Sequence, residues 1–169
     1  MLKKLVIAVL ILNSYMVFAI SQVDYNKDMQ QLIKLAKTKN SKYPFAAMII
    51  DNNTGNILCT GINSTSSEGN PTSHGEIVAI NNCSKKYGKN IDWKNTTLIT
   101  TAEPCPMCMS AIIWAMISKV VYGTSIKYLS THGWRQIDID SSTIVSKESF
   151  SKVNIIRGVM ESQTNLLFN

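Results

Sequence analysis

The chain predicts a layered α/β domain in which helices cover a mixed sheet. Three observations carry that prediction. Helical and strand patterns alternate in the order α-β-β-α-β-α-β, the run over 45–50 is continuously apolar and of strand length, and no linker or second-domain composition intervenes. A length of 169 residues suits one domain able to bury most of its apolar surface. At 45% apolar and 17% charged, the composition excludes a disordered chain, and no repeat bias marks a collagen or a solenoid. Four cysteines are too few for a disulfide scaffold but enough for one metal site, and two histidines limit imidazole chemistry.

From Asp24 the pattern is helical. Met29, Leu32, Ile33, Leu35 and Ala36 form one apolar stripe, Asp24 can cap it, and Lys34, Lys37 and Lys39 suit its C-terminal end. The strand run over 45–50, the turn Asp51-Asn52-Asn53-Thr54-Gly55 and a returning strand over 57–62 make a hairpin. Residues 63–73 are polar and loop-like. A helix follows through Ile77, Val78, Ile80 and Cys83 and stops near Gly88. A strand over 97–101 comes next, Pro104 and Pro106 break the chain, and an apolar helix runs over 107–117. A short strand over 119–122 ends at Gly123. Residues 124–152 carry no clear pattern, and the tail offers a strand over 153–156 and a short helix near its end.

The N-terminus reads differently. Lys3 and Lys4 precede an unbroken apolar run over 5–12, and Val17-Phe18-Ala19 places small or light residues at a cleavage position. Residues 1–19 therefore read as a signal peptide ahead of a single domain over 20–169, which predicts export to a periplasm or to the outside. Without cleavage the chain is cytoplasmic, and a buried first element or an uncleaved anchor are the other readings of the same run. Asn13 and Ser14 interrupt it, leaving it short for a membrane span of about 20 residues. Removal of residues 1–19 takes away Lys3 and Lys4 and no acid, lowering the net charge from +6 by two. The remaining charge permits contact with phosphates without demanding it, and no Lys/Arg run forms a nucleic-acid stripe.

Two segments carry chemistry, and each sits where a loop enters a helix: Pro71-Thr72-Ser73-His74-Gly75-Glu76 and Glu103-Pro104-Cys105-Pro106-Met107-Cys108. Cys105 and Cys108, three apart on a first helical turn, turn their sulfurs the same way. A helix N-terminus lowers thiol pKa and favours the thiolate that binds metal. With His74 they make a donor set suited to Zn²⁺ that leaves a fourth position open, and Glu76 beside it is a natural proton carrier. Alone, Cys-x-x-Cys is as often redox-active or structural. Together with His-x-Glu it matches the signature of zinc nucleobase deaminases.

The chain here resembles the cytidine-deaminase-like superfamily, and within it the branch of guanine deaminases and tRNA adenosine deaminases. The likeness extends over about residues 24–125. Pro44-Phe45-Ala46-Ala47 is similar to the opening strand, Gly61-Ile62-Asn63 to the segment before the long loop, and Asn70 to Glu76 to the His-x-Glu motif. The Cys-x-x-Cys segment continues through Trp114-Ala115 to Val120-Val121-Tyr122-Gly123. Ala46, Gly75 and Met116 depart from the common Gly, Ala and Arg, and none is a ligand. The resemblance implies a three-layer cytidine deaminase-like fold with a five-stranded mixed sheet, and a homodimer. It implies that His74, Cys105 and Cys108 hold Zn²⁺, while Glu76 moves a proton from water to a ring nitrogen and then to the leaving amine. It makes Asn63, Phe45, Ala47 and Trp114 substrate contacts, although Phe45 and Trp114 read equally as core aromatics.

The implied substrate is a nucleobase or nucleoside, a purine with guanine first, because Trp114 and Pro106 look more like the guanine branch. The second reading is a nucleic-acid deaminase: one acting on adenosine in tRNA, or an exported one acting inside another cell. A thiol-disulfide protein using Cys105 and Cys108 leaves His74 and Glu76 unexplained. A closed structural zinc site needs a fourth protein ligand, for which His132 is the available imidazole; it reads otherwise as a substrate contact or a loop residue. Cys59 and Cys83 fall in strand and helix patterns, as small core residues or, after export, as a pair. Tyr128, Trp134 and Arg135 lie in the segment without pattern and are candidates to shape the site.

Overall fold

A computed structural model describes residues 24–169, and the leader expected over 1–19 lies outside the described residues. Helix α1 (Tyr25–Lys39) begins where expected, with the Asp24 carboxylate accepting from the amides of Asn26 and Lys27 at 3.1 and 3.2 Å. Met29, Leu32, Ile33 and Ala36 are buried along one stripe, and Leu35 at its margin is only partly so. The hairpin is β1 (Ala46–Asp51) and β2 (Ile57–Ile62), with Asp51 accepting from the Asn53 and Thr54 amides to fold the turn.

The sheet has five strands in the order β2-β1-β3-β4-β5, where β3 is Thr96–Ala102, β4 is Lys119–Thr124 and β5 is Asn154–Ile156. β1 runs antiparallel to both β2 and β3, and β3, β4 and β5 are parallel, so the sheet is mixed. The central strand β3 is buried along its whole length despite four threonines. Three of these donate to nearby oxygens: Thr96 to the Trp93 carbonyl, Thr97 to Asn52 Oδ1 and Thr101 to the Pro44 carbonyl.

One face of the sheet is covered by α1 and by the tail residue Phe168, whose core includes Met29, Leu32, Met48 and Ile99. The other is covered by α3 (Gly75–Tyr87) and α4 (Pro106–Trp114), packing Ala79, Met109 and Ile112 on Ala47, Leu98 and Val120. The result is the expected three-layer fold. Helix α4 stops earlier than its apolar run suggested, because Met116 takes a left-handed conformation (φ 64°) that turns the chain toward β4. The polar loop holds a short helix α2 (Thr65–Glu68). The patternless segment holds α5 (Ile126–Thr131) and α6 (Ser141–Val145), and the tail adds α7 (Glu161–Asn165). Each is too short to show an apolar period. No helix among the described residues is long and apolar enough to cross a membrane.

Cys59 on β2 and Cys83 on α3 form a disulfide, their Cα atoms 5.5 Å apart, so the pair left open by the sequence is joined. The bond ties the edge of the sheet to a helix across 24 residues of chain. A loop of this size is worth about 3–4 kcal/mol of chain entropy. Replacing both cysteines with alanine should lower urea-unfolding stability by roughly that amount under non-reducing conditions. Wild type and variant should converge once the wild-type bond is reduced; equal stability before reduction would show the bond to be idle.

Candidate active site

The site lies at the end of the sheet where β3 finishes, the usual place for ligands in an α/β sheet. Because β1 is antiparallel to β3, Phe45 just before β1 and Asn63 just after β2 come to the same edge as Glu103. The Asn63 amide donates to the Phe45 carbonyl at 2.9 Å, which holds the two together. Helix α3 reaches this edge by lying against bare backbone. A Cβ at Gly61 would run into the Gly75 carbonyl and the Ala79 amide, and one at Gly75 would stand 2.9 Å from the Phe45 carbonyl.

His74 and Cys105 occupy equivalent places, each as the N-cap of its helix in extended conformation and neither making a side-chain capping bond. Their side chains are thereby free to point at each other across the gap between α3 and α4. His74 Nδ1 lies 3.7 Å from Cys105 Sγ and 3.6 Å from Cys108 Sγ, and the three donor atoms all fall within 4.8 Å of one another. Bonds of about 2.0–2.1 Å to nitrogen and 2.3 Å to sulfur in a tetrahedron separate N from S by about 3.5 Å. The donor set therefore fits Zn²⁺ in type and spacing, and the chain's cofactor is zinc. Among the described residues no fourth His, Cys, Asp or Glu joins the group. His132 lies elsewhere, exposed and stacked on Tyr128 with ring centroids 3.8 Å apart. The site is consequently open rather than a closed structural one.

A cavity of about 270 Å³ sits over the donors, lined by His74, Glu76 and Cys105 at its base and by Phe45, Asn63 and Trp134 among others around it. Glu76 is 6% exposed on the first turn of α3. Burial pushes its carboxyl up from the ordinary range, and the neighbouring Cys105 charge pushes the same way. The Cys105 thiol is drawn down to about 4, first by its hydrogen bond with Cys108 and then by His74. Cys108 moves the opposite way, raised by its bond to Cys105, by burial and by the Glu76 charge. His74 is raised chiefly by its contact with Cys105.

Of the substrate contacts expected from the sequence, Phe45 and Asn63 line the cavity. Asn63 Oδ1 accepts from the Thr65 hydroxyl at 2.9 Å, so its amide NH₂ is the end left for a ligand. Ala47 and Trp114 do not reach the cavity. Strand alternation turns Ala47 into the core beneath α3 and α4, where it is fully buried. Trp114 stands on the outer side of α4, 75% exposed, with its ring centroid 4.9 Å from that of Phe150. Helix α4 is apolar all round, so its pattern could not say which side faces the site. In their place the cavity takes Tyr43, Trp134, Arg135 and Gln136. Trp134 meets Phe45 edge-on at 5.3 Å and donates its indole N–H to the Phe168 carbonyl at 2.8 Å, bringing the tail into the cavity wall.

Comparison with known proteins adds to this geometry. The cytidine and deoxycytidylate deaminase zinc-binding region matches residues 22–124. A tRNA-specific adenosine deaminase of Buchnera aphidicola subsp. Baizongia pistaciae is 37% identical over 142 residues, covering 82% of this chain and 83% of that protein. A guanine deaminase of Bacillus subtilis is 38% identical over 79 residues, covering 47% of this chain and 49% of that one. The solved guanine deaminase of Nitrosomonas europaea superposes with a TM-score of 0.73 at 19% identity, over 85% of this chain and 81% of that one, a likeness of fold. The matched region contains all three metal donors and Glu76, and the chain belongs to the zinc-dependent deaminases of the cytidine and deoxycytidylate deaminase family.

Proposed function

We propose that this deaminase hydrolyses the amine of a purine, with adenosine in tRNA as its first substrate and free guanine as its second. The convergence of a buried carboxyl, Glu76, with a set of three metal donors, two of which line one small cavity, carries the chemical part. The likeness to a tRNA-specific adenosine deaminase over 82% of the chain supports the choice of adenosine. The sequence leaned toward guanine partly through Trp114, and that ground is weakened now that Trp114 lies outside the cavity.

His74, Cys105 and Cys108 would hold the Zn²⁺, which would supply Lewis-acid activation of the attacking water. Glu76 takes a proton from that water as oxygen bonds to the amine-bearing ring carbon, and delivers it to the adjacent ring nitrogen. It then carries the second water proton to the amine, which leaves as ammonia while the ring carbon becomes a carbonyl. The raised proton affinity of Glu76 suits a group that must both accept and release protons. The Asn63 amide NH₂ donates to the substrate, and the paired rings of Phe45 and Trp134 form the wall against which the base packs.

Free guanine is favoured by a different observation. The leader-like residues 1–19 and the Cys59–Cys83 bond support an oxidising location outside the cytosol, where the cell's own tRNA is absent. Ammonia release from guanine, guanosine, adenosine and tRNA, together with N-terminal sequencing of the mature protein, separates the two. A mature start near Ile20 with turnover of guanine alone would replace the tRNA reading, and turnover of none of the four would remove the purine assignment.

Two outcomes follow from the donor set and from Glu76. The bond to Cys105 and burial raise the Cys108 thiol above its ordinary range, so metal uptake displaces a proton from the thiol pair. Zinc affinity should then fall about tenfold per pH unit on acidification, and more steeply once His74 also protonates. Competition titration with a chelator over pH 5 to about 8 measures the slope; a flat profile would show that no donor proton is displaced. For Glu76→Gln, kcat should drop by at least about 10²-fold, with one zinc per chain and an unchanged melting temperature. A variant retaining a tenth of wild-type kcat would exclude Glu76 as the proton carrier.

A further inference from the structure

Glu103 stands two residues before the metal donor Cys105 and lines the same cavity, yet both of its carboxylate oxygens are engaged by backbone amides. It is 6% exposed, and each of its oxygens accepts one backbone amide: Oε2 from Ile126 at 3.0 Å and Oε1 from Ser141 at 2.9 Å. Those amides are the first helical positions of α5 and α6. Their residues bracket the excursion that turns at Gly133 (φ 84°) and carries Trp134, Arg135 and Gln136 into the cavity wall. The Ser141 hydroxyl adds a bond to the Pro104 carbonyl at 3.0 Å. One buried carboxylate therefore closes both ends of the loop and fastens them to the strand end that leads into the metal segment.

We propose that Glu103 is a positioning residue that sets substrate affinity by clasping the loop 126–141 against the metal segment. A carboxylate is suited to this task because it offers acceptors only, and both partners are donors. An amide of the same shape presents an NH₂ to one of the two N–H groups and opens that end of the clasp. Loosening the loop displaces Trp134, Arg135 and Gln136, which line the cavity without supplying a metal donor. Loss of such contacts weakens ground state and transition state alike, and so raises KM more than it lowers kcat.

The kinetic part rests on the deaminase reading of the cavity, but the clasp itself is read without substrate. Glu103→Gln should bind one zinc per chain and show faster amide hydrogen exchange confined to the segment 126–141. On tRNA or guanine, whichever is turned over, its KM should rise about tenfold with kcat within about threefold of wild type. Ser141→Pro provides a second, independent variant. It deletes the N–H from the other side at a first helical position where proline is tolerated, and Asp140 (φ −60°, ψ 145°) already has the extended conformation that proline requires of its predecessor. Ser141→Ala controls for the hydroxyl. Ser141→Pro should reproduce the faster exchange and higher KM, and the double variant should fall short of the product of the singles.

Unchanged exchange over 126–141 in Glu103→Gln would overturn the clasp, as would loss of zinc with a fall in kcat at unchanged KM. If Glu103→Gln does not fold, Ser141→Pro alone decides, and wild-type exchange and KM in that variant would be equally fatal. If the wild-type enzyme releases ammonia from neither tRNA nor guanine, the substrate reading fails, while hydrogen exchange still tests the clasp.

Discussion

The site depends on how closely one helix can approach the sheet. The first turn of α3 carries Gly75 and Glu76 directly after His74, and it rests on β2 and the start of β1 with no side chain between. Gly61 and Gly75 make that contact by offering only backbone. A methyl group at Gly61 would collide with main-chain atoms, which cannot move aside as a flexible side chain can. Shifting α3 outward would carry His74 away from Cys105 and Cys108, and the donor spacing required by a tetrahedral metal would be lost. The core beneath, with Ala79 and Ala47 both small and fully buried, is matched to the same short distance.

Two helix N-termini converge on this point. α3 and α4 both begin at a metal donor, so the positive ends of both dipoles lie beside the donor set. The helix starts are left without side-chain caps because the residues in cap position are committed to metal. Local helix stability is thus given up at the two places where function requires the side chain, and packing of α3 and α4 on the sheet compensates.

The metal donors and Glu76 were legible because they lie in two short segments whose spacing is set by the helix itself. His74 and Glu76 are two residues apart, Cys105 and Cys108 three, and each pair follows a recognisable loop-to-helix transition. The hairpin, the parallel strands and α1 were readable for the same reason: period and turn chemistry are local. The cavity wall was not. Trp134 meets Phe45 and Phe168 through contacts that join distant parts of the chain, and the elements around it are too short to show a period. Trp114 was misplaced by its setting in a helix apolar on every side. Glu103 lay in plain sight within the Cys-x-x-Cys segment, but its partners are backbone amides 23 and 38 residues away, which no residue type announces.

The Cys59–Cys83 bond places a further demand on the protein's production. Its formation requires an acceptor for two electrons, whereas Cys105 and Cys108 serve the metal only while reduced. Four cysteines admit three complete pairings, and the one that joins Cys59 to Cys83 also couples the two donors to each other unless they are protected. Zinc provides that protection by occupying the thiolates. A chain in which Cys105 and Cys108 are themselves oxidised to each other has no thiolates left to offer the metal.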